Sequence, residues 1–343
     1  MARPSVLTKG RADFACRLTS PLFSWRRAGG IFQPYRLIWG FPPFSAVASP
    51  PENGRSAPPL WKISFLDLCR TGGETEDSMS FLTHERNGLM WLAASHLEDC
   101  AGVLHGFSTR QGGVSNSPFH TLNLGIGRGD AQEAVEENYR RFCAAIGTDV
   151  QCTVLSKQVH GDNVLMVTAD DAGKGLWRPR DYQADALITN VPGLALTVFS
   201  ADCGTALLYD PFTRSVGAVH AGWRGVANGI LSKTVSEMGR CYGTRPENLL
   251  VALGPCIGPC CFETDGDVPE AMYAAFGAQA RQGAKYHVDL RGLNRLWLLR
   301  AGVSAGQIQV CELCTACRPD LFWSHRKMGQ RRGAQVAQIA LRR

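Results

Sequence analysis

The chain lacks any uninterrupted apolar run long enough to cross a bilayer, which argues against an integral membrane protein. It is also poor in cysteine for a disulfide scaffold, with 13 in 343 residues. The odd number and scattered spacing fit a reducing cytoplasm better than secretion. Histidine is scarce, with eight in the whole chain. A basic body suited to nucleic acid is missing as well, although the net charge is +6. Eight Lys/Arg and only two acids fall in residues 1–60, leaving 28 of each sign in the remainder. A DNA-binding body carries its excess charge on the folded part, and this one does not.

What is present is ordinary globular material: 45% apolar and 19% charged residues, enough to bury a sizeable core. Nine of the eighteen prolines lie in the first sixty residues, where Pro42-Pro43 and Pro50-Pro51 break any helix or central strand. Residues 1–78 read as a poorly ordered leader. It is Arg-rich and acid-poor, as a transit peptide is. A mis-assigned start, with initiation at Met79 or Met90, is the preferred explanation, and a plain disordered tail is the third. Residues 79–343 read as one catalytic domain.

From about residue 80 strands and helices alternate. Strands are expected at 103–107, 153–156, 163–168, 194–199, 205–209, 215–220 and 249–253. Helices are expected at 131–146, 226–238, 268–276 and 290–300. Val135, Tyr139, Phe142 and Ile146 recur at helical spacing in the first helix, and Val226, Ile230, Leu231, Val235 and Met238 in the second. The alternation predicts an α/β fold, a single domain with a mixed β-sheet flanked by helices.

Several side chains have the types and positions that chemistry needs. His160 and Cys203 lie in turns between expected strands and His220 ends one, positions from which scaffolds present functional groups. Imidazole and thiolate are preferred zinc ligands, and three protein donors leave a fourth position open. The competing reading makes Cys203 a buried small hydrophobe and the histidines backbone partners. Arg224 and Gly225 stand at the start of a helix beside His220, where free N–H groups and a guanidinium suit an anion such as phosphate. Arg224 paired with a surface acid is the alternative. Arg110 lies in the Gly-rich loop Thr109–Gly113, and Asp185 and Asp202 are candidate acid/base or orienting groups. Cys311, Cys314 and Cys317 form C-x2-C-x2-C but lack the fourth cysteine of a ferredoxin run. Cys256, Cys260 and Cys261 join them in a cluster only if the fold brings them close.

Together the segments Ser108–Ser115, Asn123–Gly125, Val135–Asn138, Gln158–Gly161, Ala184–Ala186, Ala201–Cys203, His220–Gly225 and Leu253–Gly258, with a fainter stretch from Cys314 to Arg326, resemble the YfiH-type family. That family was formerly labelled laccase-like or multicopper polyphenol oxidoreductase. It is now described as purine nucleoside phosphorylase with adenosine deaminase activity. The resemblance spans residues 100–341.

The resemblance implies that His160, Cys203 and His220 are metal ligands, for zinc with copper as the other possibility. It implies a single α/β domain. It implies adenosine, inosine and methylthioadenosine as substrates with phosphate, and no nucleic-acid or membrane partner. The cysteines at 260, 261, 311 and 317 stand outside the motif. A Cys/His hydrolase with Cys203 as nucleophile, or an enzyme that edits peptidoglycan precursors, is the alternative. A four-copper oxidase is discounted, because eight histidines are too few for its copper ligands.

Overall fold

The computed structural model describes residues 80–277 and 287–343. The expected leader at 1–78 lies outside the described residues. In chain order the strands are β1 (Phe81–Arg86), β2 (Leu89–Ala94), β3 (Val103–Ser108), β4 (Thr153–Leu155), β5 (Val164–Met166), β6 (Ala186–Thr189), β7 (Ala195–Ser200), β8 (Gly204–Asp210), β9 (Ser215–Ala221), β10 (Leu250–Leu253), β11 (Ile308–Val310) and β12 (Gln335–Leu341). The helices are α1 (Ser95–Glu98), α2 (Gln132–Ile146), α3 (Trp223–Ala227), α4 (Ile230–Tyr242), α5 (Asp267–Phe276), α6 (Leu290–Arg300) and α7 (His325–Met328).

The strands form two six-stranded sheets where the sequence suggested one. Their orders are β1-β2-β3-β12-β7-β4 and β11-β10-β8-β9-β6-β5. Both are mixed: β4–β7, β10–β11 and β5–β6 pair parallel and the rest antiparallel. The sheets lie face to face. Leu196, Val198, Ala337 and Ile339 from the first meet Leu207, Val216, Ala218 and Leu187 from the second in one core. Because side chains alternate along a strand, the opposite faces need covers of their own.

On the first sheet that cover is α2, whose Val135, Tyr139, Phe142 and Ile146 pack against Leu89, Leu155 and Val336. On the second, Ala206, Leu208, Val219 and Ala221 pack against α4 and α6 through Ile230, Leu231, Val235, Met238 and Leu298. This gives four layers, helix on sheet on sheet on helix. Each fully buried aliphatic or aromatic side chain contributes about 1.5–3 kcal/mol. Double coverage explains why β8 and β9 show no alternation of exposure: all seven residues of each are buried.

The helix expected at 226–238 is two helices. Gly229 breaks it with φ of 76°, a left-handed conformation that glycine adopts without strain, and α4 starts afresh at Ile230. The hairpin β1–β2 and the strands β6, β11 and β12 were not anticipated. Among the described residues no helix is long and apolar enough to cross a membrane.

Candidate metal centre

Three strands of the second sheet bring the predicted donors to one end. Cys203 immediately precedes β8, whose pairing with β9 sets Gly204 opposite Ala221 and so places the thiol beside His220. Asp185 precedes β6, which pairs with the other side of β9. His160 lies in the loop before β5, the neighbour of β6. One ligand atom each from His160, Cys203 and His220 lies within 4.8 Å of the others. The two imidazole rings stand edge to face, 4.9 Å apart at their centroids.

Asp185 organises the group from behind. Its side chain is buried. Oδ1 is 2.8 Å from Nδ1 of His220 and accepts the backbone N–H of His160 at 3.0 Å. Oδ2 accepts the N–H groups of Gly161 at 2.9 Å and Val159 at 3.2 Å. Burial would raise the carboxyl pKa, but the bonds from His220 and the loop amides outweigh it and hold it below its ordinary value. One carboxylate therefore fixes both the ring of His220 and the loop that carries His160.

His160 (φ 59°) and Asp202 (φ 90°) are two of the four non-glycine residues with left-handed backbone among the described residues. Such conformations are costly and gather at functional sites. At Asp202 the cost is offset by a tight set of bonds. Oδ1 accepts from Thr315 Oγ1 at 2.7 Å; Oδ2 accepts from Ser324 Oγ at 3.1 Å and from the Arg326 N–H at 2.7 Å.

The donors influence one another strongly. Burial would raise the Cys203 thiol, yet His220 and His160 pull it down to about 6. Burial would lower His220, yet the Cys203 sulfur and Asp185 lift it to about 9. Each of the two thus favours the charged form of the other.

The donor set fits a thiophilic metal ion on two grounds. A Cβ built on Gly222 would stand 3.1 Å from the His160 ring, 3.4 Å from His220 and 3.6 Å from the Cys203 sulfur, so the three donors face one small cradle that only glycine leaves clear. The pairing of His220 Nδ1 with a carboxylate leaves Nε2 for the metal, the arrangement that orients histidine ligands in metalloproteins.

The other expected residues are placed less uniformly. Gly225 packs its backbone on the His160 loop, where a Cβ would come within 2.8 Å of the Gly161 carbonyl. Arg224 is more than half exposed, stacks on Trp223 at 4.1 Å and pairs with Asp267 at 3.6 Å, the surface partner the alternative reading anticipated. Arg110 stacks on Trp323 at 4.0 Å and donates to the carbonyls of Pro319 at 2.8 Å and His120 at 2.9 Å. Its guanidinium is thus engaged in tying loops together. A cavity of about 460 Å³ lined by Arg86, Leu89, Gly112 and Arg141 includes none of the three donors in its walls.

Sequence reasoning missed Arg332 and Arg128. Burial, with the nearby charge of Arg128, lowers Arg332 to about 10, while Asp202 and Cys203 act on it in the opposite direction. It therefore lies in the field of the candidate centre. No local motif marks it, because the loop before β12 reaches the site only through the sheet order.

The fold and site define an α/β protein with a two-histidine, one-cysteine centre at one end of a sheet sandwich. The chain belongs to the family described as multi-copper polyphenol oxidoreductase laccase, whose model matches residues 104–342. Purine nucleoside phosphorylase YlmD of Bacillus subtilis (strain 168) is 34% identical over 250 residues, 70% of this chain and 89% of its own. Purine nucleoside phosphorylase YfiH of Escherichia coli (strain K12) is 40% identical over 230 residues, 66% of this chain and 89% of its own. The crystal structure of YlmD from Geobacillus stearothermophilus matches with a TM-score of 0.70 at 34% identity, covering 77% of this chain and 99% of that one.

Proposed function

We propose that this chain is a zinc-dependent purine nucleoside phosphorylase that acts on adenosine, inosine and methylthioadenosine, and that it also deaminates adenosine. The observation that carries the reading is the convergence of His160, Cys203 and His220 in front of Asp185, in a chain that shares 34–40% identity with proteins named purine nucleoside phosphorylase.

His160, Cys203 and His220 would hold the ion. When bound, zinc supplies a Lewis acid with one coordination position not taken by protein. The chain's own residues do the positioning. Asp185 keeps the His220 ring and the 159–161 loop in register. Asp202, with both oxygens committed to Thr315, Ser324 and the Arg326 amide, serves to hold the strained turn that presents Cys203 rather than to shuttle a proton.

In phosphorolysis a phosphate oxygen bonds to the anomeric carbon as the bond to the purine nitrogen breaks, and the base takes up a proton. Charge develops on the sugar and on the phosphate, so positioning and electrostatics carry the step. Arg332, which feels the charges of Asp202 and Cys203, is suited to phosphate, and Arg128 adds a second positive charge near it. Arg224 is free to turn from its exposed ion pair toward the same ligand, since such pairs are weak. In deamination, water replaces the exocyclic amine and ammonia leaves.

Purified, zinc-loaded protein incubated with adenosine tests the proposal by product analysis. Adenine and ribose 1-phosphate, formed only with phosphate present, are expected, together with inosine. No product from any of the three nucleosides would overturn it.

The thiolate–imidazolium pair of Cys203 and His220 also favours a second reading, a metal-free cysteine hydrolase. A chelator separates the two: it abolishes a zinc phosphorylase and leaves a cysteine hydrolase active and open to alkylation.

A further inference from the structure

We propose that Cys260, Cys261, Cys314 and Cys317 form a second metal site, a tetrathiolate that binds one zinc ion and clamps two loops beside the first centre. The four sulfurs all lie within 4.8 Å of one another. Cys317 Sγ is 3.4 Å from Cys261 Sγ and 3.6 Å from Cys260 Sγ. Two thiolates bound tetrahedrally to zinc at about 2.3 Å stand about 3.8 Å apart, so these sulfurs need only small shifts to share an ion. A disulfide would bring two of them to about 2.05 Å, and all four are free thiols here. The compact spacing suits a single ion and leaves no room for the sulfide bridges of an iron–sulfur cluster.

The backbone makes this grouping inevitable in the folded chain. β10 and β11 run parallel, so the loops that follow them leave the sheet at the same end. The loops then pair with each other: Cys256 bridges to Cys314, and the Thr315 N–H donates to the Cys256 carbonyl at 3.1 Å. A turn closed by the N–H groups of Cys261 and Phe262 on the Gly258 carbonyl brings Cys260 and Cys261 over Cys317.

The Cys314 sulfur accepts the N–H of Gly258 at 3.2 Å, and the nearby amides of Ala316 and Cys317 favour its thiolate in the same direction. Backbone N–H groups aimed at the first sulfur of a C-x2-C turn stabilise a thiolate, the form that binds metal. Cys311, the first residue of the C-x2-C-x2-C run, is buried outside the group. The spacing in sequence therefore pointed to the wrong trio, and the loop from β10 supplies what the run lacks.

With four protein donors this site has no open position, which marks it as structural rather than catalytic. What it holds matters for the neighbouring centre. Thr315, between Cys314 and Cys317, donates to Asp202, and the Ile257 N–H donates to the Asp202 carbonyl at 2.9 Å. Arg326, whose amide also binds Asp202, donates its guanidinium to the Cys261 carbonyl at 3.0 Å. Clamping these loops steadies the turn that presents Cys203.

The inference does not depend on the nucleoside chemistry, because different variants empty the two sites. Full-length protein, purified reduced and supplied with zinc, is expected to carry two zinc ions per chain by elemental analysis. Cys317→Ser and Cys260→Ser, at two exposed thiols, should each leave one. His160→Ala should also leave one, and the double variant none. Cobalt(II) added to metal-free protein should give intense four-thiolate charge-transfer absorption that survives His160→Ala and falls in Cys317→Ser to the weaker band of the single thiolate, Cys203, at the first centre. The ion retained at the first centre shows that the cysteine variants are folded.

One zinc per chain, lost only with His160→Ala, would overturn the proposal. So would iron in place of zinc, or a disulfide joining Cys317 to Cys260 or Cys261 in protein handled under reducing conditions.

Discussion

Asp185 carries more of the candidate centre than any ligand does, because it touches two of them at once. Its four interactions reach the His220 ring and three consecutive backbone amides around His160. Asp185→Asn keeps the volume but replaces acceptor capacity with an N–H group that meets another donor. Removing such a carboxylate behind a metal-bound histidine costs 10–100-fold in metal affinity as an order of magnitude. We expect a loss in that range, measured by competition with a chromophoric chelator, in protein that remains folded by circular dichroism although its urea midpoint falls, since a buried acceptor of several bonds is lost. Unchanged affinity would remove Asp185 from the site. At this scale the sequence was informative about identity and silent about role. His160, Cys203, His220 and Asp185 were all singled out, but nothing local distinguishes a carboxylate that anchors a histidine from one that transfers a proton. Asp202 shows the same point, since its anchors Thr315 and Ser324 lie more than a hundred residues away.

At the scale of elements, the short helix α3 matters through how closely it approaches the His160 loop. Gly225 allows its backbone to lie against Gly161, where a methyl group would meet the carbonyl oxygen at 2.8 Å. A backbone atom cannot move aside as a side-chain tip can, so Gly225→Ala must push α3 and the loop apart. We expect at least tenfold lower kcat/KM, since small misplacement at a reactive centre is expensive. The loss of thermal stability should be modest, because Gly225 sits in a helix that alanine favours. Activity within twofold of wild type would show that the contact does not set the site. The periodicity of residues 226–238 was legible, and its apolar face is buried as expected. The break at Gly229 was not, because an isolated glycine in a periodic run signals neither a kink nor continuity by itself.

For the whole molecule, the packing of two sheets buries His105 in β3, where its Nε2 accepts the Ala94 N–H at 2.9 Å. Burial, reinforced by the charges of His96 and His84, lowers its pKa to about 4. In the unfolded chain it titrates near 6.5. The unfolded state therefore binds the proton first, and this contribution to stability is complete above pH 6.5 and lost as pH falls toward 4. At about 1.4 kcal/mol per pH unit the loss approaches about 3 kcal/mol. Metal-free protein should show a urea midpoint that drops between pH 6.5 and 4.5. His105→Gln, which keeps an acceptor without a charge to gain, should flatten that drop, and an equally steep drop in the variant would refute the assignment. Asp185 acts in the same direction at lower pH, since its depressed carboxyl stabilises the fold above 3.8 and loses that contribution as pH falls through its own pKa.

Sequence by itself determined the α/β class and the alternation of most strands and helices, because periodicity is a local property; it marked His160, Cys203 and His220 only as candidate donors, which the family resemblance joined into one set. Only the tertiary structure decided that the twelve strands among the described residues divide into two sheets rather than one, since an apolar run is equally compatible with packing against a helix or against another sheet. It also decided that β12, the last strand of the chain, lies between β3 and β7, which brings Arg332 toward Cys203. The four-thiol group likewise belongs to the tertiary level: its halves are more than fifty residues apart, and the parallel exit of β10 and β11 makes them neighbours.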